Sequence, residues 1–282
     1  LELNFFYTSL TLKKVLIIGA SGFIGNALYK ELNSYFDTYG TYHTDNSFFE
    51  KNQKFFQYDM EMEDISILLD NLKPTTIITT LRGNFNSQLD AHQRIIQWIQ
   101  KHKCRLIFIS SANVFDSFSN YPSYEYDKTL SDSVFGRFKI KIENALLRLP
   151  AHKYVIARVP MIFGSTTPRV QELKTLHDLR APIEVFPNVI INATSISKLT
   201  QQIHYIINRN KKGVFHLGST DLIYHLDLIK EICDALQLDE PVFKQVYDSN
   251  NDRYLAVLPK DNKLPKNLQI TTQQVIDSVI AK

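Results

Sequence analysis

Apolar and polar positions switch between two periods along this chain. Val15, Leu16, Ile17 and Ile18 form an unbroken apolar run that stops at Gly19, the pattern of a strand buried on both faces. Ala27, Leu28 and Leu32 follow at helical spacing. A second strand is predicted over 38–43 and a short third over 54–58, ending at Asp59. Residues 65–72 are spaced as a helix and run into Pro74, and the β-branched run 75–80 predicts a strand. Leu89, His92, Ile95, Ile96 and Ile99 mark one face of a further helix, and 105–109 reads as a buried strand ending at Ser110 and Ser111. Ser, Tyr and Asp crowd 116–132, a long polar loop, before a helix over 133–149 and a strand over 154–159.

Strands that alternate with helices in this way imply right-handed crossovers and a parallel sheet covered on both faces. The expected fold is α/β, a Rossmann-like doubly wound parallel sheet with a small C-terminal substrate lobe. Gly19, His43, Asp59, Thr80 and Ser111 all fall at strand ends in this reading. Ligands of such sheets bind at the carboxyl ends of strands, so these residues point to one shared cleft. Further on, 196–207 is an amphipathic helix, 213–217 a strand, 226–236 a helix, and 272–280 a last short helix in a tail holding Pro259 and Pro265. The expected organisation is an N-terminal lead, 1–12, and a dinucleotide-binding unit, 13–164, to which the chain returns at about 189–218. A smaller lobe, 165–188 and 219–282, closes over the cleft.

The chemistry begins at the first turn. Gly19, Gly22 and Gly25 recur at three-residue spacing between the first strand and the first helix, with Ser21, Phe23 and Ile24 between them. Gly19 allows the turn, Gly22 lets backbone approach a pyrophosphate, and Gly25 lets the helix pack close to the strand. Unpaired N–H groups and the positive end of the helix dipole then face the anion.

Charge and composition exclude more than they select. With 282 residues, 44% hydrophobic and 22% charged, the chain is ordinary for a globular protein. A net charge of +3 gives no reason to invoke nucleic acid, and Arg209, Lys211 and Lys212 are expected to end a helix. Cys104 and Cys233 lie far apart in apolar patterns, and no Cys/His spacing suits a metal, so neither a metal site nor a disulfide is expected and a cytoplasmic setting fits. No apolar run has the length of a membrane span. The 1–12 segment carries Glu2 and no basic start, unlike a signal peptide. No histidine pairs with Asp and Ser at a hydrolase spacing, and His204 and His216 read as packing residues.

Residues 19–25, 109–116, 135–139, 157–164 and 213–217 together resemble the extended short-chain dehydrogenase/reductase superfamily. Within it they resemble the dTDP-4-dehydrorhamnose reductase-like group, which also holds methionine adenosyltransferase β subunits. The resemblance covers most of the chain after Lys13. It implies NAD(P)-dependent hydride transfer to or from a nucleotide-linked sugar, with a homodimer as a possible assembly by analogy. In that chemistry a Ser polarises the oxygen, a Tyr moves the proton, and a Lys four residues later lowers the phenol pKa and holds the nicotinamide ribose. Ser111 and Lys139 match the Ser and the Lys. The resemblance also places Asp59 and Met60 at the adenine, Pro160 at the nicotinamide, and Asn113, Val114, Met161 and Phe163 near the substrate.

The chain departs from the pattern at the tyrosine, where it has Phe135, a side chain with no proton to give. Tyr124 and Lys128 also satisfy Y-x-x-x-K, but Tyr124 lies in the loop whose Glu125 stands ten residues before Phe135, as the family pattern has it. Tyr124 remains a substitute donor. A second departure is Thr80, Leu81 and Arg82, where the family has Asn-Ala-Ala; Arg82 either reaches a phosphate or is a solvated loop residue. The end of the second strand leaves the coenzyme open between NADP and NAD. Asp45 suits the ribose 2′-OH of NAD, whereas His43 and Thr44 tolerate a 2′-phosphate, which tilts the reading to NADP. Two functions follow: an oxidoreductase or epimerase whose proton donor has changed, or a non-catalytic dinucleotide-binding protein with a regulatory role.

Overall fold

In a computed structural model, the described residues are 13–44, 47–117, 120–247 and 249–281, with the side chains of 47 and 48 excluded. The lead 1–12 and Asp45 lie outside them. Seven strands form one parallel sheet: β1 (Lys14–Ile18), β2 (Asp37–Tyr42), β3 (Phe55–Gln57), β4 (Thr76–Thr79), β5 (Arg105–Ser111), β6 (Tyr154–Val159) and, later in the chain, β11 (Gly213–His216), in the order β11-β6-β5-β4-β1-β2-β3. Helices α1 (Phe23–Leu32), α2 (Ser47–Glu50), α3 (Ile65–Leu72), α4 (Phe85–Lys101) and α5 (Val134–Leu147) connect the first six strands. The order reverses beside β1, the position where such sheets open a crevice at their carboxyl edge.

Strand periodicity explains the two cores. Val15 and Ile17 of β1 face Leu28 and Leu32 of α1 together with Leu199, Ile203 and Ile206. Leu16 and Ile18, pointing the other way, meet Ile65 and Leu69 of α3, Ile95 and Ile99 of α4, and Phe138 and Ile142 of α5. Every one of these side chains is buried. The uninterrupted apolar run of β1 is therefore the signature of a strand with both faces covered.

The rest is finer-grained. Strands β7 (Met161–Phe163), β8 (Ile183–Val185), β9 (Val189–Ile191), β10 (Ala193–Ser195), β12 (Ile223–Tyr224), β13 (Phe243–Gln245) and β14 (Arg253–Leu255) form three small sheets. They pack with α6 (Pro168–Asp178), α8 (His225–Ala235) and α9 (Thr272–Asp277) around Phe163, Val170, Val185, Leu228, Ile232 and Val275. Helix α7 (Ile196–Asn208) returns to the large sheet beside α1. Arg209 follows the end of α7, as the cationic cluster predicted.

Two expectations are refined. β5 continues through Ser110 and Ser111, which pair with Arg158 and Val159 of β6. His204 packs against Tyr35 and Phe36 and also bonds Glu31 at 2.8 Å, tying α7 to α1. Among the described residues no helix is long and apolar enough to cross a membrane, and no cluster of three His, Cys, Asp or Glu is arranged for a metal.

Candidate functional site

The carboxyl ends of β1, β4, β5 and β6 open on a cleft with two adjoining halves. An inner half of about 330 Å³ is lined by Gly22, Thr80, Leu81, Lys139 and Val159 among others. An outer half of about 570 Å³ adds Asn113, Met161, Arg169, Asn192 and Leu255. Phe23, Ile24, Arg82, Ser111, Phe135, Pro160 and Ile162 line both.

The turn after β1 is built by its glycines. Gly19 sits at φ 90, in the region that favours glycine, and its N–H donates to Thr41 Oγ1 at 2.9 Å. Thr80 Oγ1 donates to the carbonyls of Ile18 and Gly19, which fixes the turn to β4. A Cβ at Gly25 would stand 2.2 Å from Gly19 O and 2.7 Å from Thr80 Oγ1. Gly25→Ala is therefore expected to lower stability by about 1–3 kcal/mol, the cost of forcing volume into a packed contact, as read by urea unfolding. Gly22 is the N-cap of α1, and no side chain caps that helix end. Its free amides face the inner half, a cradle for an anion.

Helix α5 carries the other wall. Its N-cap Ser133 accepts from Gly136 N at 3.0 Å. A Cβ at Gly136 would stand 2.3 Å from Asn113 O, so glycine brings the start of α5 against the turn after β5. Phe135 is 39% exposed and looks into the cleft, its ring 6.2 Å from that of Phe85. One helical turn on, Lys139 Nζ donates to Ile109 O at 3.0 Å and lies 4.7 Å from the Phe108 ring centre and 5.5 Å from that of Phe135. This apolar enclosure pulls the Lys139 ammonium down to about 8, against the attraction of Glu143. Ser111 Oγ donates to Asn113 Oδ1 at 2.9 Å and accepts from Asn113 N at 3.2 Å, so the hydroxyl both faces the cleft and caps the short turn that follows it.

Behind Lys139 lies a buried ionic network. Arg158 bonds the Glu143 carboxylate through Nε and Nη2, the latter at 2.7 Å, and Ser110 Oγ donates to the same carboxylate at 2.5 Å. Arg158 Nη1 donates to Glu125 O at 2.9 Å and contacts His216 Nε2 at 3.2 Å. The Glu125 carboxylate in turn accepts from the backbone amides of Lys260, Asp261 and Asn262. The polar loop, α5 and the C-terminal segment are thus joined by charge-assisted bonds.

Burial also silences histidines. His92 bridges Gln88 O and Thr79 Oγ1, and burial, with repulsion from Lys139, pushes it down to about 4. Burial likewise drives His225 to about 4 and His216 to about 3. These groups stay neutral in the fold and bind protons near pH 6.5 when unfolded. Between those values the unfolded chain holds more protons, so stability rises with pH through the window and is lost as pH falls from 6.5 toward 4. Urea midpoints at pH 7 and 5 are expected to show this loss, and His92→Gln to reduce it.

Several residues singled out from sequence stand elsewhere. Val114 and Phe163 are fully buried behind the wall. His43 and Asp59 come together, Nε2 to Oδ2 at 3.5 Å, at the ends of β2 and β3 but outside the two lined halves. Asp59 also accepts from Glu61 N, while Asp64 caps α3. Met60 Cε lies 3.0 Å from where a Gly83 Cβ would stand. Tyr124 lies outside both halves, its ring covered by Lys260 Nζ at 5.2 Å. Arg169, Glu172 and Asn192 line the outer half without having been anticipated, since only the tertiary arrangement of α6 and β9–β10 brings them there.

Comparison with known proteins bears on this geometry. Residues 82–277 match the family described as the RmlD substrate binding domain. The chain is 23% identical over 249 residues to methionine adenosyltransferase 2 subunit beta from Danio rerio, covering 80% of this chain and 75% of that one. Its fold is similar to dTDP-4-dehydrorhamnose reductase from Bacillus anthracis in complex with NADP, with TM-score 0.73, 18% identity and coverage of 95% and 99%. It is also similar to the Bordetella bronchiseptica enzyme WbmH in complex with NAD+, with TM-score 0.75, 15% identity and coverage of 95% and 96%.

Proposed function

The chain belongs to the RmlD substrate-binding-domain family, and from that premise we propose that it binds NADP or NAD in the inner half of the cleft and a nucleotide-linked sugar in the outer half, without the tyrosine-borne proton transfer of a sugar-nucleotide reductase or epimerase. One observation carries the reading: Phe135 occupies the wall between the two halves, one turn before Lys139, and no tyrosine lines either half among the described residues.

The residues present suit the dinucleotide. The uncapped amides of α1 receive the diphosphate, and Gly22 leaves room for its approach. Lys139 offers donors for the nicotinamide ribose, and Ser111 for a substrate oxygen. NADP is favoured in this reading because His43 and Thr44 after β2 tolerate a 2′-phosphate. A bound nicotinamide supplies or accepts a hydride; Phe135 cannot supply the matching proton. Residues 165–188 and 219–282 then serve as the lobe that contacts the sugar nucleotide.

A second reading, an oxidoreductase with a displaced proton donor, draws on the Lys139 ammonium near 8, a value suited to proton transfer. The test mixes NADPH-loaded protein with a panel of nucleotide-linked 4-keto sugars and follows absorbance. Stable complexes with little oxidation are expected. Rapid turnover would overturn the proposal, and its loss in Tyr124→Phe would then assign the proton to the polar loop.

A further inference from the structure

A second concave surface lies at the opposite edge of the large sheet. Near the amino ends of β1, β4, β5 and β6, a hollow of about 440 Å³ is lined by Lys13, Lys103, Arg105, His152, Lys153 and Asn210. Its cations come from segments far apart in sequence, and no carboxylate among the described residues lines it. None of the four takes part in an ion pair among the described residues.

Helix ends explain part of this charge. Lys13 Nζ donates to Ile207 O, and Arg105 donates to Ile206 O and Ile207 O, at the C-terminus of α7, and Arg105 also donates to Lys211 O in the segment beyond it. Lys153 Nζ donates to Ile99 O and His102 O at the C-terminus of α4. Each helix end presents roughly half a negative charge, so the two offset about one of the four positive charges. The remaining repulsion shows at Lys13, whose ammonium is lowered by burial and by Arg105. The side chains of Lys103 and His152 bond to no described residue, so helix capping does not account for them.

We infer that this hollow binds a small phosphate-bearing anion, at a site separate from the dinucleotide cleft. The concave shape and clustered cations suit several phosphate oxygens on one compact molecule, and Asn210, whose Oδ1 accepts from Lys13 Nζ at 2.9 Å, adds an amide N–H. It lies across the sheet from Thr80 and Ser111, so a ligand there leaves the cleft open.

Calorimetric titration of the NADPH-saturated full chain, its cleft already filled, with inorganic pyrophosphate at low salt tests the inference. Lys103→Glu changes a side chain that bonds to no described residue, and Arg82→Ala probes the cleft instead. The expected result is one bound pyrophosphate, about ten-fold weaker in Lys103→Glu, screened by added salt, and unchanged in Arg82→Ala. Absence of binding, binding insensitive to Lys103→Glu, or binding lost in Arg82→Ala overturns it. Binding of a single-stranded oligonucleotide without any of pyrophosphate also overturns it. NADPH uptake, measured in parallel, is independent of Lys103, so failure of this site and failure of the cleft reading are separable.

Discussion

Phe135→Tyr is expected to raise the rate of NADPH oxidation by a nucleotide-linked 4-keto sugar by about 10²–10⁴, the usual worth of a positioned general acid. The ring already lines both halves of the cleft and is 39% exposed, so a phenol oxygen can be added without burying a polar group. The Lys139 ammonium, 5.5 Å from the ring centre, would favour phenolate and draw its pKa toward the working range. Ser111 lines the same cleft. Stopped-flow absorbance of the NADPH-loaded variant beside wild type reads the change. Equal rates would mean that proton transfer does not limit this cleft, against the role assigned to Phe135.

Arg158→Leu is expected to cost about 3–5 kcal/mol of stability, because it strands a buried carboxylate. Arg158 and Glu143 have side chains only 2% and 1% exposed, and without the guanidinium Glu143 keeps only the Ser110 hydroxyl as a side-chain partner among the described residues. The Glu125 carbonyl loses its donor as well. Replacing both charges, Arg158→Leu with Glu143→Leu, is expected to restore much of the loss, since a buried pair gains little over apolar packing once desolvation is counted. Urea unfolding at pH 7 distinguishes the single from the double variant. Glu143 is one turn past Lys139, so the single variant should also weaken coenzyme binding.

The large sheet was legible because its strands are covered on both faces. The β-branched apolar run that ends at Gly19 suits such a strand, and the 65–72 helix and 154–159 strand were placed to the residue. The small sheets were not legible. Strands of two or three residues, such as β12 or β8, are too short to show a period, and α6 buries only Val170 and Leu173. In the cleft, the turn of Gly19 and the close packing of Gly25 were readable because a missing Cβ is a property of the sequence itself. Arg169 and Asn192 were not, because a side chain's arrival at the outer half depends on how α6 and β9 pack. The Glu125–Arg158–Glu143 network lay between: Glu125 and Arg158 stood in recognisable segments, but only tertiary contact shows that they meet.

In the proposed complex the uncapped start of α1 holds the dinucleotide diphosphate. Calorimetry of the folded chain with NADPH and with NADH tests it most directly, with Gly22→Val as the partner variant. A Cβ at Gly22 would stand 3.3 Å from Gly19 O, a tight contact that a small shift relieves, so this variant is expected to fold. The prediction is one coenzyme bound per wild-type chain, more tightly as NADPH, and uptake lost in Gly22→Val. Folded wild-type protein that takes up neither coenzyme would contradict it.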